Sequence, residues 1–418
     1  MGITISGGRV YDPANHVHGL ERDIHVENGV IVDSCPETTR VIDARKKSVM
    51  PAGIDPFCHV AAFGLNLSRT IYGFPLIEKV GAAYKRAGYL HLNEPYMTLS
   101  TAEYVKREVA SLPQTDASAL LVPDLRDFWQ IIKAGFNNQA NELFNGILKI
   151  TGARGFLIIQ SAIKYERMWY RRRNVNKEKL FHFLSMFNGG KASRVVLEIP
   201  ADDFPFEAIN PPDRFHLNRR GGEWDDESKN RLLKNLMEGG LSVGVCADDV
   251  WGPLDIKIGK KDQGQGLFFG LGLSQPLSIS ANKEAPEAPA IKLLKFLVEN
   301  DTGQICLSPG SAYSSTLDGY AELLGWLLRG SLRPENWNKE SRDREYSISD
   351  LVLVTRTNPA VLLGLEDRGH LSPGTPAYIA VYDFNDDTPD EDLVQKLGYC
   401  QYLIKGDDFI IDDFKLKD

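Results

Sequence analysis

The sequence predicts an α/β protein: a (β/α)8 TIM-like barrel carrying a small composite β-sandwich module built from both chain ends. Three observations carry that expectation. The first fifty residues alternate apolar and polar positions with period two, as half-buried strands do. After Pro51, short apolar runs alternate with amphipathic stretches of helical period, which is how parallel β/α units read. The last seventy residues return to strand-like runs, YIAVYDF, YCQYLIKGDD and FIIDDF, after a helical SISDLVLVTRTNPAVLLGL. The expected division is a β module of residues 1–50 plus 350–418 and a barrel of residues 51–349.

The elements follow in order. ITISGGRVYD, DIHVENGVIVDSC and RVIDARKKSVMP read as strands, and Asn28-Gly29 marks a hairpin because both residues tolerate positive φ. Eight barrel strands are expected at 53–59, 89–94, 119–123, 155–160, 194–200, 214–218, 241–247 and 304–308. Helices are expected at 77–87, 101–111, 126–144, 226–238, 288–299 and 320–328. Ser372-Pro373-Gly374 reads as a turn. No repeat or low-complexity tract interrupts the pattern. In a barrel of this kind, functional groups gather at the C-terminal ends of the strands.

Composition narrows the function classes. A formal charge of −8 over 418 residues argues against a nucleic-acid surface. No apolar run approaches the roughly 20 residues of a membrane span. MGITISGGRVYD lacks the basic and apolar regions of a secretory signal, and its Met-Gly start is only a weak myristoylation signal. Five scattered cysteines, Cys35, Cys58, Cys246, Cys306 and Cys400, fit reduced thiols in a cytoplasm better than a disulfide framework.

Both ends of the chain resemble one family. The stretches GGRVYDPANHVHGLERDIHVENGVIV, IDARKKSVMPAGIDPFCHVA, NLSR and LVTRTNPAVLLGLEDRGHLSPGTPAYIAVYD are similar to the A subunit of formylmethanofuran dehydrogenase and its counterpart in the formyltransferase/hydrolase complex of C1 metabolism. That family belongs to the amidohydrolase superfamily. The resemblance implies a two-metal site that activates water against a formyl amide, with six ligand positions. The His-x-His pair falls on Phe57 and His59, the bridging lysine on Leu157, the next two histidines on Glu198 and Arg219, and the last aspartate near Gly310. One of these six is a histidine. A phenyl ring and an alkyl chain coordinate nothing, and a cation at Arg219 would repel a metal ion. Without the metal, whose bound water has a pKa of about 7, no such nucleophile exists at neutral pH. The implied hydrolytic site is therefore expected to be lost.

The residues themselves suggest other chemistries, each with a plainer reading. Cys58 and His59 are adjacent on a strand, so their side chains point to opposite faces and Cys58 reads as a small buried hydrophobe. His59 reads as a hydrogen-bonded core residue. Glu198, Asp202, Asp203, Asp248 and Asp249 follow strands, but acidic loop residues are commonplace. Gly264-Gln265-Gly266 and Gly270-Leu271-Gly272 lack phosphate-loop spacing and read as loop hinges. His16-Val17-His18 reads as a solvated turn. KYERMWYRRR, with Lys164, Arg167, Arg171, Arg172 and Arg173, is either a solvated loop or a surface for an anionic partner or a polyglutamate-bearing furan cofactor of the kind the resemblance implies. NRRGGEWDD at 218–226 would extend that patch.

Three readings result. The first is a degenerate amidohydrolase-fold subunit beside formyltransferase/hydrolase-type partners, holding no metal and serving as scaffold or holder of a methanofuran-like cofactor. The second is a hydrolase of C–N bonds with a rearranged or single-metal site, zinc held by His59, His91, Glu198 and Asp248 or Asp249. The third is a stand-alone small-molecule binding protein with a pocket lined by Phe57.

Overall fold

The computed structural model describes residues 2–35, 40–58, 60–61, 75–112, 114–123, 126–159, 194–198, 215–219, 242–246, 269–272, 305–309, 319–333 and 343–417. It also describes the isolated positions 69, 71, 179, 182, 183, 186, 297, 298, 302 and 317. Two nine-stranded sheets dominate.

The first sheet joins the chain ends. Strand β1 (Gly2–Asp12) pairs antiparallel with β2 (Val17–Glu27), which turns through Asn28 and Gly29, both at positive φ, into β3 (Val30–Val32). On the other side of β1 lie β4 (Arg40–Asp43) and β5 (Ser48–Pro51), both parallel to it. The C-terminal strand β15 (Tyr378–Tyr382) pairs antiparallel with β5 and continues the sheet through β16 (Tyr402–Lys405), β17 (Asp408–Asp412) and β18 (Lys415–Leu416). The free edge of β3 is covered: Ile31 N–H donates to Thr375 O and Ala377 N–H to Gly29 O, each at 2.9 Å. Covering an edge removes a template for unwanted pairing. Ile3, Ile5, Val26, Val49, Ile379 and Ile404 form the apolar centre of this unit.

His16 and His18 are exposed, as expected of a solvated segment, but His18 lies on a strand rather than in a turn. Only His16 is in a turn, at φ 57°; His18 already lies on β2, and its Nδ1 is 2.9 Å from Ser349 Oγ. The register of β2 against β1 carries it there.

The second sheet is wholly parallel and runs in chain order: β6 (Gly53–Asp55), β7 (Tyr89–Thr98), β8 (Asp116–Val122), β9 (Gly155–Ile159), β10 (Arg194–Glu198), β11 (Phe215–Arg219), β12 (Ser242–Cys246), β13 (Phe269–Gly272) and β14 (Ile305–Ser308). There are nine strands where eight were expected. The ninth is β13, and its Gly270-Leu271-Gly272 is a strand rather than a loop hinge, paired in register with both β12 and β14. Glycine weakens a strand alone, yet two flanking partners supply the ladder. Among the described residues β6 and β14 share no backbone pairing, but they meet through side chains, as Ser308 Oγ donates to Asp55 at 2.5 Å.

Helices α1 (Ile77–Arg86), α2 (Ala102–Ala110), α3 (Arg126–Ala134) and α4 (Asn137–Thr151) alternate with the first strands. The single helix expected over 126–144 is two, because Gly135 takes φ 81° and ends the first. Expected helix 226–238, and most of 288–299, lie outside the described residues. Helix α5 (Tyr320–Leu328) follows the last strand.

The C-terminal helical run is α6 (Ile348–Val352), a π-helical turn over Leu353–Thr357 and α7 (Asn358–Leu363). Ser347 and Asp350 form a capping box at its start. The wide turn buries Arg356, whose Nε donates to Pro51 O at 2.9 Å and Nη2 to Tyr382 Oη at 3.0 Å. This guanidinium ties the run to the point where the chain leaves one sheet for the other. A further helix, α8 (Asp390–Leu397), precedes β16.

Candidate functional site

Strand register decides which side chains can meet. In β7 and β8, His91 stands opposite Asp116 near the N-terminal ends, Asn93 opposite Ser118 in the middle, and Thr98 opposite Val122 at the C-terminal ends. Leu121 faces Phe156 on β9, which puts Leu157 at the level of Val122.

Two of the positions at which the resemblance implies ligands, Leu157 and Phe57, have described side chains, and both are apolar and buried. Leu157 is 2% exposed and clusters with Leu120 and Val122, with Tyr96 against them. Phe57 is buried with Cys306 and Leu362. Neither side chain has a donor atom. The pair does not fit a metal ion.

The buried carboxylates nearby are committed to the fold. Asp55 accepts from Phe57 N–H at 2.9 Å, Tyr84 Oη at 2.6 Å and Ser308 Oγ at 2.5 Å. Glu94 accepts from the N–H groups of Ala61 at 2.7 Å and Tyr96 at 2.9 Å. Cys58 is 1% exposed; burial, then the charges of Asp55 and Glu94, hold its thiol well above the ordinary range. A thiol in that state is inert as a nucleophile.

At the N-terminal ends the chemistry is the reverse. Asp116 receives Arg368 Nη1 at 2.5 Å, Lys405 Nζ at 2.6 Å and Tyr378 Oη at 2.6 Å. Burial alone would raise its pKa, but hydrogen bonds from Lys405 and Tyr378 and the charge of Arg368 outweigh it and hold the carboxyl down at about 2. His91 lies between Ser118 Oγ, 3.0 Å from its Nε2, and Arg368 Nη1, 3.1 Å from its Nδ1. Burial, then the charges of Arg368 and Arg154, push its pKa down to about 3.

His91 therefore does not suit the ligand role that the rearranged-metal reading gives it, while the side chains of His59, Glu198, Asp248 and Asp249 lie outside the described residues. His91 sits at the opposite strand end from the site, and its free lone pair already accepts from a guanidinium. A divalent ion there would meet Arg368, Arg154 and Lys405. The sequence gives no direct signal for this cluster, since His91 and Arg368 are 277 residues apart.

Glu198 and Arg219 are the last residues of β10 and β11, so their backbones stand at C-terminal strand ends; their side chains lie outside the described residues. So do His59, Gly310, Asp202, Asp203, Asp248, Asp249, Lys164, Arg167, Arg171, Arg172 and Arg173, with the stretches 164–173 and 220–226. Ser308, which ends β14, was missed. A polar residue closing an otherwise apolar strand was the available signal. Among the described residues no three His, Cys, Asp or Glu side chains gather as a metal group, and no helix is long and apolar enough to cross a membrane.

No family model matches the chain. Two curated proteins align along nearly all of it. FwdA of Methanocaldococcus jannaschii is 22% identical over 511 positions, covering 99% of this chain and 88% of its own. The A subunit of the formyltransferase/hydrolase complex Fhc of Methylorubrum extorquens is 23% identical over 500 positions, covering 98% and 88%. Both alignments are longer than the 418-residue chain, so each relative has segments with no counterpart here. Among solved structures, the FhcABCD complex of M. extorquens with methylofuran contains a chain that superposes with TM-score 0.75 at 19% identity, over 100% of this chain and 90% of that one. The β-aspartyl dipeptidase of Fervidobacterium islandicum superposes with TM-score 0.56 at 11% identity, over 100% and 99%. The chain is a homologue, along nearly its whole length, of FwdA and of the A subunit of Fhc, and it has the fold of the amidohydrolases.

Proposed function

We propose that this protein is a degenerate amidohydrolase-fold subunit that works with formyltransferase/hydrolase-type partners in C1 metabolism and does not itself hydrolyse. Its parallel strands close as a barrel over residues 51–349 across the Asp55–Ser308 contact. Residues 1–50 and 350–418 form the composite β module. One observation carries the loss of hydrolysis: Leu157 fills the bridging-lysine position with an alkyl chain and is packed against Leu120 and Val122. Replacing that layer by a charged cluster would require desolvating ions in hydrocarbon, at several kcal/mol each.

The remaining role is structural support, or retention of a furan-type cofactor. Methylofuran is bound in the FhcABCD complex whose chain this one resembles. The cationic stretch with Lys164, Arg167, Arg171, Arg172 and Arg173 supplies arginine forks for an anionic cofactor tail or an acidic face of a partner. Cys58, Cys306 and Cys400, buried and in no disulfide, support a cytoplasmic setting.

Native purification tests the reading. Co-purification with a formyltransferase-like partner is expected. A chain that runs alone at monomer or homodimer mass contradicts it. If the lone chain is then protected from thermal unfolding by a furan-amine, the stand-alone binding reading takes its place.

A further inference from the structure

The interior of the second sheet contains a hydrogen-bond chain whose direction is forced at both ends. Arg368 Nη1 is 3.1 Å from His91 Nδ1, His91 Nε2 is 3.0 Å from Ser118 Oγ, Ser118 Oγ is 2.7 Å from Asn93 Oδ1, and Asn93 Nδ2 is 2.9 Å from Pro56 O. A guanidinium can only donate, and a backbone carbonyl can only accept. His91 Nδ1 must therefore accept, so the imidazole is neutral and carries its proton on Nε2. That proton goes to Ser118 Oγ, the Ser118 hydroxyl goes to Asn93 Oδ1, and the Asn93 amide goes to Pro56 O. Every donor points from the C-terminal segment toward the strand end at Pro56.

The far end of the chain is the peptide that precedes Phe57. Asn93 holds this segment twice, because Cys58 N–H also donates to Asn93 O at 3.1 Å. Asn93 is completely buried and His91 is 4% exposed, while Ser118 between them is half-buried. A bond in such a setting polarises the next, and one reversed member would leave two like groups facing each other.

We propose that Arg368 is a positioning residue for the candidate site. Through the neutral Nε2–H tautomer of His91, with Ser118 and Asn93, it fixes the strand-end segment 56–58, to which His59 is the next residue. The C-terminal segment, sequence-distant from the barrel mouth, thus sets the geometry of that mouth. Hydrogen-bond direction alone carries this role, whether or not the protein hydrolyses.

The test is nitrogen-15 NMR of the full-length protein labelled at histidine, with backbone amides followed at Phe57 and Cys58. The expected wild-type result is one protonated Nε2 and one bare Nδ1 at His91, unchanged from pH 8 to pH 5. Ser118→Ala cuts the chain without touching the Asp116 ion pairs. It should move the Phe57 and Cys58 amides while His91, still held by Arg368, keeps its Nε2–H tautomer. Arg368→Met, which removes the donor that fixes the tautomer, should move the same amides and also let the two His91 nitrogens average, and Arg368→Lys, which restores a donor, should reverse most of it. An Nδ1–H or doubly protonated His91 in the wild type overturns the proposal. So do Phe57 and Cys58 amides that stay in place in Ser118→Ala, a variant small enough to keep the fold.

Discussion

The two ends of the parallel sheet hold their polar groups differently. In barrels of this kind the C-terminal strand ends carry reactive groups and the N-terminal ends carry stability. Here the ends of β8 and β9 and the segment after β6 bury Leu120, Val122, Leu157 and Phe57, while the polar pair Asp55 and Ser308, which end β6 and β14, is closed on itself and on Tyr84. The N-terminal ends hold His91, Asp116 and Arg368, joined by Lys405 and Tyr378 from the terminal β module. The polar end is a seam where unpaired groups would be costly, and His91, Asp116, Arg368, Lys405 and Tyr378 each have a polar partner there. Under the proposed loss of the hydrolytic site, the fold persists without donor atoms at Phe57 and Leu157 because packing and site chemistry are separable.

The contrast can be broken most strongly at the seam by pH. His91 has its folded pKa pushed below its ordinary 6.5 to about 3, so the unfolded chain takes up a proton that the folded chain refuses. Its contribution is fully present above pH 6.5 and is lost as pH falls toward 3. The loss is on the order of 4 kcal/mol by linkage. Asp116, held at about 2 against 3.8 unfolded, loses its share in the lower window between those values. Urea unfolding at pH 7, 5 and 4 should show the first slope in the wild type and its absence in His91→Gln.

Removing Asp116 as Asp116→Ala leaves Arg368 and Lys405 half-buried without their shared carboxylate. It should cost about 4 kcal/mol, read as a lower urea midpoint at neutral pH. At the other end, Leu157→Lys restores the residue type the resemblance implies for metal bridging. The amine would enter an apolar cluster, so we expect roughly 3 kcal/mol of lost stability and no gain in bound zinc. Stability unchanged, with zinc taken up, would show that end to be a latent metal site. The smallest effect is expected from Ser308→Ala. It deletes one of the Asp55 hydrogen bonds between β6 and β14, at about 1–2 kcal/mol by thermal denaturation.

Much of this contrast was legible at the apolar end. Leu157 and Phe57 are read directly as side chains without donor atoms, and the apolar runs at 155–160 and 304–308 give β9 and β14 nearly at their observed bounds. The β module was equally readable, because Asn28-Gly29 and the period-two strands are local signals. The polar seam was not. It joins His91 to Arg368 and Asp116 to Lys405 across hundreds of residues, and no spacing rule links side chains that only tertiary packing brings together. Strand β13 was hidden for another reason: its alternating glycines copy a loop, and only pairing on both sides makes them a strand.

The most direct test of the central claim is the metal content of natively purified protein, prepared without chelators and measured by elemental analysis per mole of chain. Loss of the hydrolytic site predicts less than about a tenth of an equivalent of zinc or other divalent metal, on the order of adventitious binding. Two equivalents of zinc would contradict it and return the C-terminal strand ends to hydrolysis.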